Sequence, residues 1–417
     1  MEHYIFYCKL SLLAVLSLIT ACCMLSRRWY VNLAAFLACL SGETFLAHLF
    51  FPGYMLCPAA ASFIILFLSR IWDLSRTPAK GNGADPIRLP VRSGIRESRL
   101  EFHYHYSNFL VYGGAGSGKT KSIGKWLLSE YMRLGFAGFI YDFKDTDYTR
   151  TAYNLIKRHR YPHKFYYVSF DRPERSYRFN PLKVVRDRTE LIQLMEDVLL
   201  ALLPKKEQQN EWVAGGLGIL RGVAFRFWDE FPEHCTLPHI LAFIMTASAR
   251  QLSLFLQQNL VSEMLAGAYL KAEGSEKTQA SYLSTLCNNL ATISQNEEIA
   301  YVLSGDDFDF NLIDPETPKL FAVSNNFSKN SVYAPVISML MTISARQFSM
   351  QNRVPFVYFL DEMTTVNIKN FETLPSVLRE YKAAFILLTQ SGAKLENLYG
   401  KLDRSSVEAN FGNKIGR

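Results

Sequence analysis

The sequence predicts an α/β fold: a parallel-sheet domain, interrupted by an all-α insert and preceded by an N-terminal transmembrane helical anchor. Three observations carry this expectation. Long apolar runs fill roughly the first seventy residues. Beyond about residue 108, short apolar runs alternate with helical stretches, as strands and crossover helices do in a parallel sheet. Between Thr189 and Tyr301 that alternation stops and only helical periodicity remains. At 417 residues, 49% hydrophobic and 20% charged, the chain is too long for one small domain and too apolar for wholesale disorder.

The anchor comes first. Tyr4 to Leu25 is apolar apart from Lys9 and small polar residues, and twenty-two residues at helical rise cross a hydrocarbon core of about 30 Å. Ser26-Arg27-Arg28-Trp29 ends that run. A second run, Tyr30 to Phe51, carries Glu43 and His48, and a shorter third run extends from Met55 to Leu68. Two or three crossings are expected within residues 1–75. Arg27, Arg28, Arg70, Arg76 and Lys80 favour the cytoplasmic side, and three crossings put both clusters there. Five of the seven cysteines fall in the first 57 residues without a CxxC pairing, so neither a disulfide framework nor a zinc site is indicated. Arg76 to Leu100 reads as a Pro/Gly/Arg-rich linker with six basic and two acidic residues.

The sheet domain follows in two parts, 76–188 and 302–417, around an all-α insert at 189–301. Expected strands are Asn108 to Tyr112, Ala137 to Tyr141, Tyr166 to Phe170, Leu320 to Ser324, Val354 to Leu360 and Ala384 to Thr389. Helices are expected at Lys119 to Leu134, Tyr333 to Met350 and Phe371 to Tyr381, and repeatedly through the insert.

Gly113-Gly114-Ala115-Gly116-Ser117-Gly118-Lys119-Thr120 matches G-x-x-x-x-G-K-[ST], set between an expected strand and an expected helix. That context makes it a P-loop: backbone amides converge on phosphate oxygens and the helix N-terminus favours the anion. Lys119 would neutralise the β- and γ-phosphates of ATP, and Thr120 would ligate Mg²⁺. Val357-Tyr358-Phe359-Leu360-Asp361-Glu362 is a buried strand releasing two carboxylates at its C-terminal end. Asp361 would hold the Mg²⁺ shell and Glu362 would deprotonate the attacking water. Gln390, ending Phe385-Ile386-Leu387-Leu388-Thr389, would contact the γ-phosphate or its water. Asp142-Phe143-Lys144-Asp145 would share that sheet edge. Arg379, on the helix between Asp361 and Gln390, is either a surface charge or an arginine finger for a neighbouring subunit. From Arg150 to Arg188 the chain carries eleven Lys/Arg against three Asp/Glu, a net of +8 that exceeds the whole chain's +7. Tyrosines and phenylalanines interleave there, a pattern suited to a nucleic-acid backbone.

The residues from about 100 to the end resemble the type IV coupling proteins, the TraD/TraG ATPases of bacterial conjugation. The resemblance rests on GGAGSGKT at 113–120, FIYDFKD at 139–145, FNPL at 179–182, SEKTQASYLSTLCNNL at 275–290, YFLDEM at 358–363 and LPSVLREYKAAFILLTQS leading to LENLYG. It implies a RecA-like nucleotide domain in a homo-hexameric ring on the cytoplasmic face of the bacterial inner membrane. The partners it implies are single-stranded DNA with its relaxase complex and the secretion-channel proteins. It also aligns Arg379 with the family's interfacial arginine. Two departures stand out: Asp145-Thr146 replaces a Gly-Glu pair of many relatives, and the chain ends at Arg417 where a further strand is expected to begin, as a C-terminally truncated member would. Two other readings remain. One is a non-hydrolysing membrane docking protein that binds nucleotide and cargo. The other is an FtsK-like DNA translocase, against which the early insert and the LPSVLREYKAA block argue. An ABC-type ATPase is disfavoured, because Leu303-Ser304-Gly305 lacks the rest of that signature.

Overall fold

The computed structural model describes residues 85–416, apart from 94–95, 115, 145, 204–206 and 369. The expected anchor at residues 1–75 lies outside the described residues, as do Ala115 and Asp145. Among the described residues no helix is long and apolar enough to cross a membrane.

The part of the expected linker that lies within the described residues, from Asp85 on, is instead a hairpin. Strands β1 (Ile87–Ser93) and β2 (Arg96–Phe102) pair antiparallel, Ile87 opposite Phe102. Its proline and arginines mask a period-two pattern in which Ile87 and Leu89 are buried. Pro90 is tolerated because a two-stranded ribbon leaves one edge unpaired. The Arg88 amide donates to Glu130 Oε2 at 2.8 Å, tying the hairpin to the first helix of the sheet domain.

Strand β3 (Phe109–Tyr112) leads through the glycine loop into a π-helical turn, Thr120–Gly124, and helix α1 (Lys125–Arg133). Next come β4 (Ala137–Asp142), α2 (Asp147–His159) and β5 (Lys164–Ser169). From Arg188 to Leu303 the described residues are helices and turns only: α3 (Arg188–Ala201), α4 (Glu211–Glu230), α5 (Leu237–Thr246), α6 (Ala249–Gln257), α7 (Leu260–Leu265), α8 (Gly267–Lys271), α9 (Glu276–Ser294) and α10 (Glu297–Leu303). The sheet resumes with β6 (Lys319–Ser324), α11 (Asn330–Arg346), β7 (Phe356–Leu360), α12 (Leu374–Glu380) and β8 (Ala383–Thr389). Helices α13 (Gly392–Tyr399) and α14 (Lys401–Ala409) precede β9 (Asn413–Ile415). The strand expected to begin at the chain's end is thus begun: β9 pairs with β3. Helix α12 is shorter than expected, since Pro375 lacks an amide hydrogen and fits only the first turn.

The seven strands lie in the order β5-β6-β4-β7-β8-β3-β9, every pair parallel. Their C-terminal ends therefore share one rim, where ligands of open α/β sheets bind. Strands β4, β6, β7 and β8 are buried along their whole length, which explains their unbroken apolar runs. Alternate residues face opposite sides. Ile140, Ala322, Phe359 and Ile386 pack with α1, α2 and the hairpin. Phe139, Phe321, Tyr358 and Phe385 pack into one core with the insert and α11.

The insert leaves and rejoins the sheet domain at adjacent points. The Phe179 amide donates to Val302 O, and the Asp307 amide to Arg178 O, each at 2.8 Å. Asn180 caps the turn at Leu182 and donates through Nδ2 to Cys235 O at 2.8 Å, so its amide spans both parts. Cys235 is a buried free thiol, pushed up to about 12 by burial, and Cys287 is also free.

Asn108 pins the other end of the sheet. It is fully buried with φ of 46°, a left-handed conformation that asparagine adopts more readily than most residues. Its Nδ2 donates to Pro375 O (3.1 Å) and Asn410 O (3.0 Å), and its Oδ1 accepts from the Phe385 amide (2.8 Å). Asn108→Ala removes all three bonds and leaves buried partners unsatisfied, so we expect a loss of about 2–4 kcal/mol in urea unfolding. A loss below about 0.5 kcal/mol would show that these bonds do not hold the rim together.

Candidate functional site

The glycine loop bridges β3 and the π-helical turn. Gly116 and Gly118 have φ of 77° and 79°, which residues with a Cβ rarely adopt. A Cβ on Gly113 would run into the Ser117 hydroxyl. The Gly113 amide donates to Thr389 O (3.2 Å), strapping the loop to β8. Gly114, Gly116, Ser117 and Gly118 are exposed, so the loop's mouth is open to solvent. Thr120 is half-buried at the start of the π-helical turn.

Lys119 turns inward. It is buried, and its Nζ donates to Glu362 Oε1 at 2.8 Å, an ion pair between residues 243 positions apart. Strand β7 delivers the acid pair: the Asp361 amide donates to Tyr141 O (3.0 Å), and both acids are almost wholly buried. Glu362 has φ of 46°, a strained conformation for a side-chain-bearing residue. Thr365 supports it, donating to the Glu362 carbonyl from Oγ1 (2.7 Å) and from its amide (2.9 Å). Lys144 Nζ approaches Glu362 Oε1 to 3.8 Å.

Asp361 is the exceptional group. Both its carboxylate oxygens are buried without a hydrogen-bond partner. Burial pushes its carboxyl up to about 7; Lys144 and Lys119 oppose the rise, and Glu362 and Asp142 add to it. Two donor-free carboxylate oxygens are acceptors for a hard cation. Such oxygens suit Mg²⁺, which Asp361, with the Thr120 hydroxyl, could hold.

Asp142 ends β4 at the same rim but is already engaged. It accepts from Thr149 N (2.8 Å), Thr149 Oγ1 (2.9 Å) and Lys144 N (3.3 Å). It therefore fixes the start of α2 and the Lys144 loop. Burial raises its carboxyl.

Strand β8 lies between β3 and β7, so Gln390 emerges between the loop and the acids. Gln390 is half-buried and its Oε1 accepts from Lys394 Nζ at 2.7 Å. Arg379 is not brought to this rim. It lies in the last turn of α12, just before β8 begins, and therefore toward the opposite rim, exposed and without an acidic partner among the described residues. Sequence reasoning missed Thr389, whose hydroxyl is buried without a partner beside the loop. It also missed Lys144 as a neighbour of Glu362. A hydroxyl at the last position of an apolar strand was the available signal for the first; nothing local marked the second.

A family model described as the type IV secretion-system coupling protein DNA-binding domain matches residues 100–416. The chain belongs to this family. Among solved structures, this coupling protein is similar to the bacterial conjugative coupling protein TrwB lacking its N-terminal segment, with a TM-score of 0.60 and 17% identity over 82% of this chain and 73% of that one. TrwB in complex with ADP and Mg²⁺ gives 0.59 and 16%, covering 82% and 75%. TrwB with a non-hydrolysable ATP analogue gives 0.59 and 17%, covering 80% of each. No curated protein sequence matches the chain. At these identities the structures establish a shared α/β fold with a parallel sheet.

Asp361 makes the coupling protein's stability depend on pH. An acid whose pKa is raised on folding holds its proton more tightly in the folded state. Its contribution is therefore fully present at low pH and is lost as pH rises from its ordinary 3.8 to about 7. Asp361→Asn, which cannot ionise, should gain melting temperature relative to the unmodified chain as pH rises through that window. An unchanging difference across the window would show that Asp361 is not held protonated by burial.

Proposed function

We propose that this coupling protein is a Mg²⁺-dependent ATPase of the bacterial inner membrane. On this reading it is a multi-pass, homo-hexameric protein with its ATPase domain in the cytoplasm. It connects single-stranded DNA and its relaxase complex to the type IV secretion channel proteins and drives DNA transfer during conjugation. The observation that carries the reading is the buried Lys119–Glu362 pair beside the donor-free Asp361, at the rim that bears the glycine loop. The TrwB complexes with ADP and Mg²⁺ and with ATP and GTP analogues support nucleotide as the ligand.

The chain's own residues then act as follows. Gly113, Gly114, Ala115, Gly116, Ser117 and Gly118 present backbone amides to the phosphates of ATP. Lys119 exchanges its single carboxylate partner for the more highly charged triphosphate, which frees Glu362. Glu362 takes a proton from water as the water oxygen bonds to the γ-phosphorus and the bond to the β-phosphate oxygen breaks, releasing ADP. Gln390 and the Thr389 hydroxyl orient that water. Mg²⁺, held by Thr120 and Asp361, supplies charge neutralisation at the phosphates when bound. Arg379, exposed on its own subunit, reaches the phosphates of the next subunit in the ring.

Glu362→Gln should lower DNA-stimulated ATP turnover at least ~100-fold while nucleotide affinity holds within about threefold. Lys119→Ala should abolish nucleotide binding. Nucleotide binding without turnover in the unmodified, oligomerised chain would replace the motor with a non-hydrolysing docking protein. Arg379→Ala should also lower turnover by ~100-fold or more with binding retained. Mixing Arg379→Ala with Glu362→Gln subunits should restore activity, since some interfaces then pair an intact site with an intact arginine. Absence of restoration would remove Arg379 from the role of a partner-supplied group.

A further inference from the structure

Tyr148, in the first turn of α2, is fully buried and belongs neither to the glycine loop nor to the acid pair. The residues on either side of it are fixed. Lys125 Nζ donates to Asp147 Oδ1 at 2.7 Å, tying the turn to α1. The Thr149 amide and hydroxyl donate to Asp142 Oδ2 at 2.8 and 2.9 Å, tying it to the end of β4. The ring between these two anchors is therefore held in place.

Its ring and its hydroxyl reach two different parts of the rim. The ring lies against Phe359, with centroids 4.6 Å apart. Phe359 stands two residues before Asp361, so both leave β7 on the same face of the sheet. The hydroxyl lies against the π-helical turn: a Cβ on Gly124 would run into Tyr148 Oη, so only glycine leaves room for it. Gly124 closes the turn that Thr120 opens, and residues four apart share a helix face. Thr120 is within hydrogen-bonding reach of the hydroxyl. Tyr148 Oη is nonetheless buried without a well-formed hydrogen bond. Burial pushes the phenol far above its ordinary range, the Asp361 carboxylate adds to the rise and Thr120 opposes it, so the oxygen keeps its proton at neutral pH.

We propose that Tyr148 is a positioning residue for Mg²⁺: its oxygen accepts the Thr120 hydroxyl hydrogen, which turns a Thr120 lone pair toward the cation. A threonine hydroxyl carries one hydrogen and two lone pairs, so an oxygen that faces a cation must send its hydrogen to an acceptor elsewhere. Asp361, the neighbouring carboxylate, is itself a donor to the cation on this reading, and Glu362 Oε1 is engaged by Lys119. Ligands to metals are held in orientation by such outer partners. The fold alone gives the hydroxyl no use. Phenylalanine would fill the same space against Phe359 and Gly124 without burying an unpaired oxygen, and that oxygen costs stability. This inference rests on the nucleotide and Mg²⁺ reading given above and adds to it a residue outside the glycine loop and the acid pair.

The test compares the full chain with its Tyr148→Phe variant in two measurements. The first is the affinity for a fluorescent, non-hydrolysable ATP analogue in excess Mg²⁺ and in EDTA, whose ratio is the gain that Mg²⁺ brings. The second is the melting temperature without nucleotide. Tyr148→Phe should cut the gain roughly tenfold while affinity in EDTA holds within about twofold. Its melting temperature should equal or exceed that of the unmodified chain, because an unpaired buried hydroxyl has been removed. An unchanged gain overturns the proposal and leaves the Mg²⁺ reading standing. An equal loss of affinity in Mg²⁺ and EDTA, or a lowered melting temperature, makes the hydroxyl a structural group and also overturns it. If the unmodified chain binds the analogue but gains nothing from Mg²⁺, the cation reading falls and the proposal with it. If the unmodified chain does not bind the analogue, the nucleotide reading falls as well.

Discussion

A lysine and a glutamate share a 2.8 Å contact where solvent scarcely reaches, and a second carboxylate beside them has no donor. Taking charges out of water costs several kcal/mol per ion unless partners compensate. Lys119 and the more distant Lys144 stand against Glu362, Asp361 and Asp142, so the region is short of positive charge. Asp142 is satisfied by the start of α2, and Glu362 meets Lys119 through Oε1 while its Oε2 stays buried without a partner. Asp361 has no donor on either oxygen, and burial, with the neighbouring Glu362 and Asp142 adding to it, drives its carboxyl up to about 7. This polar cluster survives because the surrounding strands are fully buried and fixed, so their packing overcomes its electrostatic cost.

Much of the architecture serves to hold that cluster. Strand β8 separates β3 from β7, which spaces the glycine loop from the acids and lets the chain emerge between them at Thr389 and Gln390. The Tyr141 carbonyl anchors the Asp361 amide, and Thr365 braces the strained Glu362 backbone. At the other rim Asn108 joins β3, β8, α12 and the residues after α14 through one amide group. A shift in any of these elements moves the loop relative to the acids.

The helical insert is not a separate body on a tether. Its apolar residues and one face of the sheet form a single core, and its two chain crossings are hydrogen-bonded side by side. Close-packed interiors transmit displacement rather than absorbing it. A rearrangement at the sheet rim therefore reaches the insert through packed side chains. The opposite face carries α1, α2 and the hairpin, and with α2 the buried Tyr148.

The sequence by itself determined what depends on near neighbours along the chain. Gly116 and Gly118 mark a left-handed loop because other residues rarely adopt that backbone. Unbroken apolar runs mark β4, β7 and β8 because both faces of a parallel sheet are covered. The helical period marks the insert. Composition misled at β1 and β2, where proline and arginines hid an alternation of only a few residues. Strand order, by contrast, was decided only in three dimensions, and with it the meeting of Lys119 and Glu362 across 243 positions. So were the isolation of Asp361, the approach of Lys144 and the placing of Tyr148 against the π-helical turn. Each depends on which strands pair and what they exclude from water, and a local pattern of residue types carries no information about either.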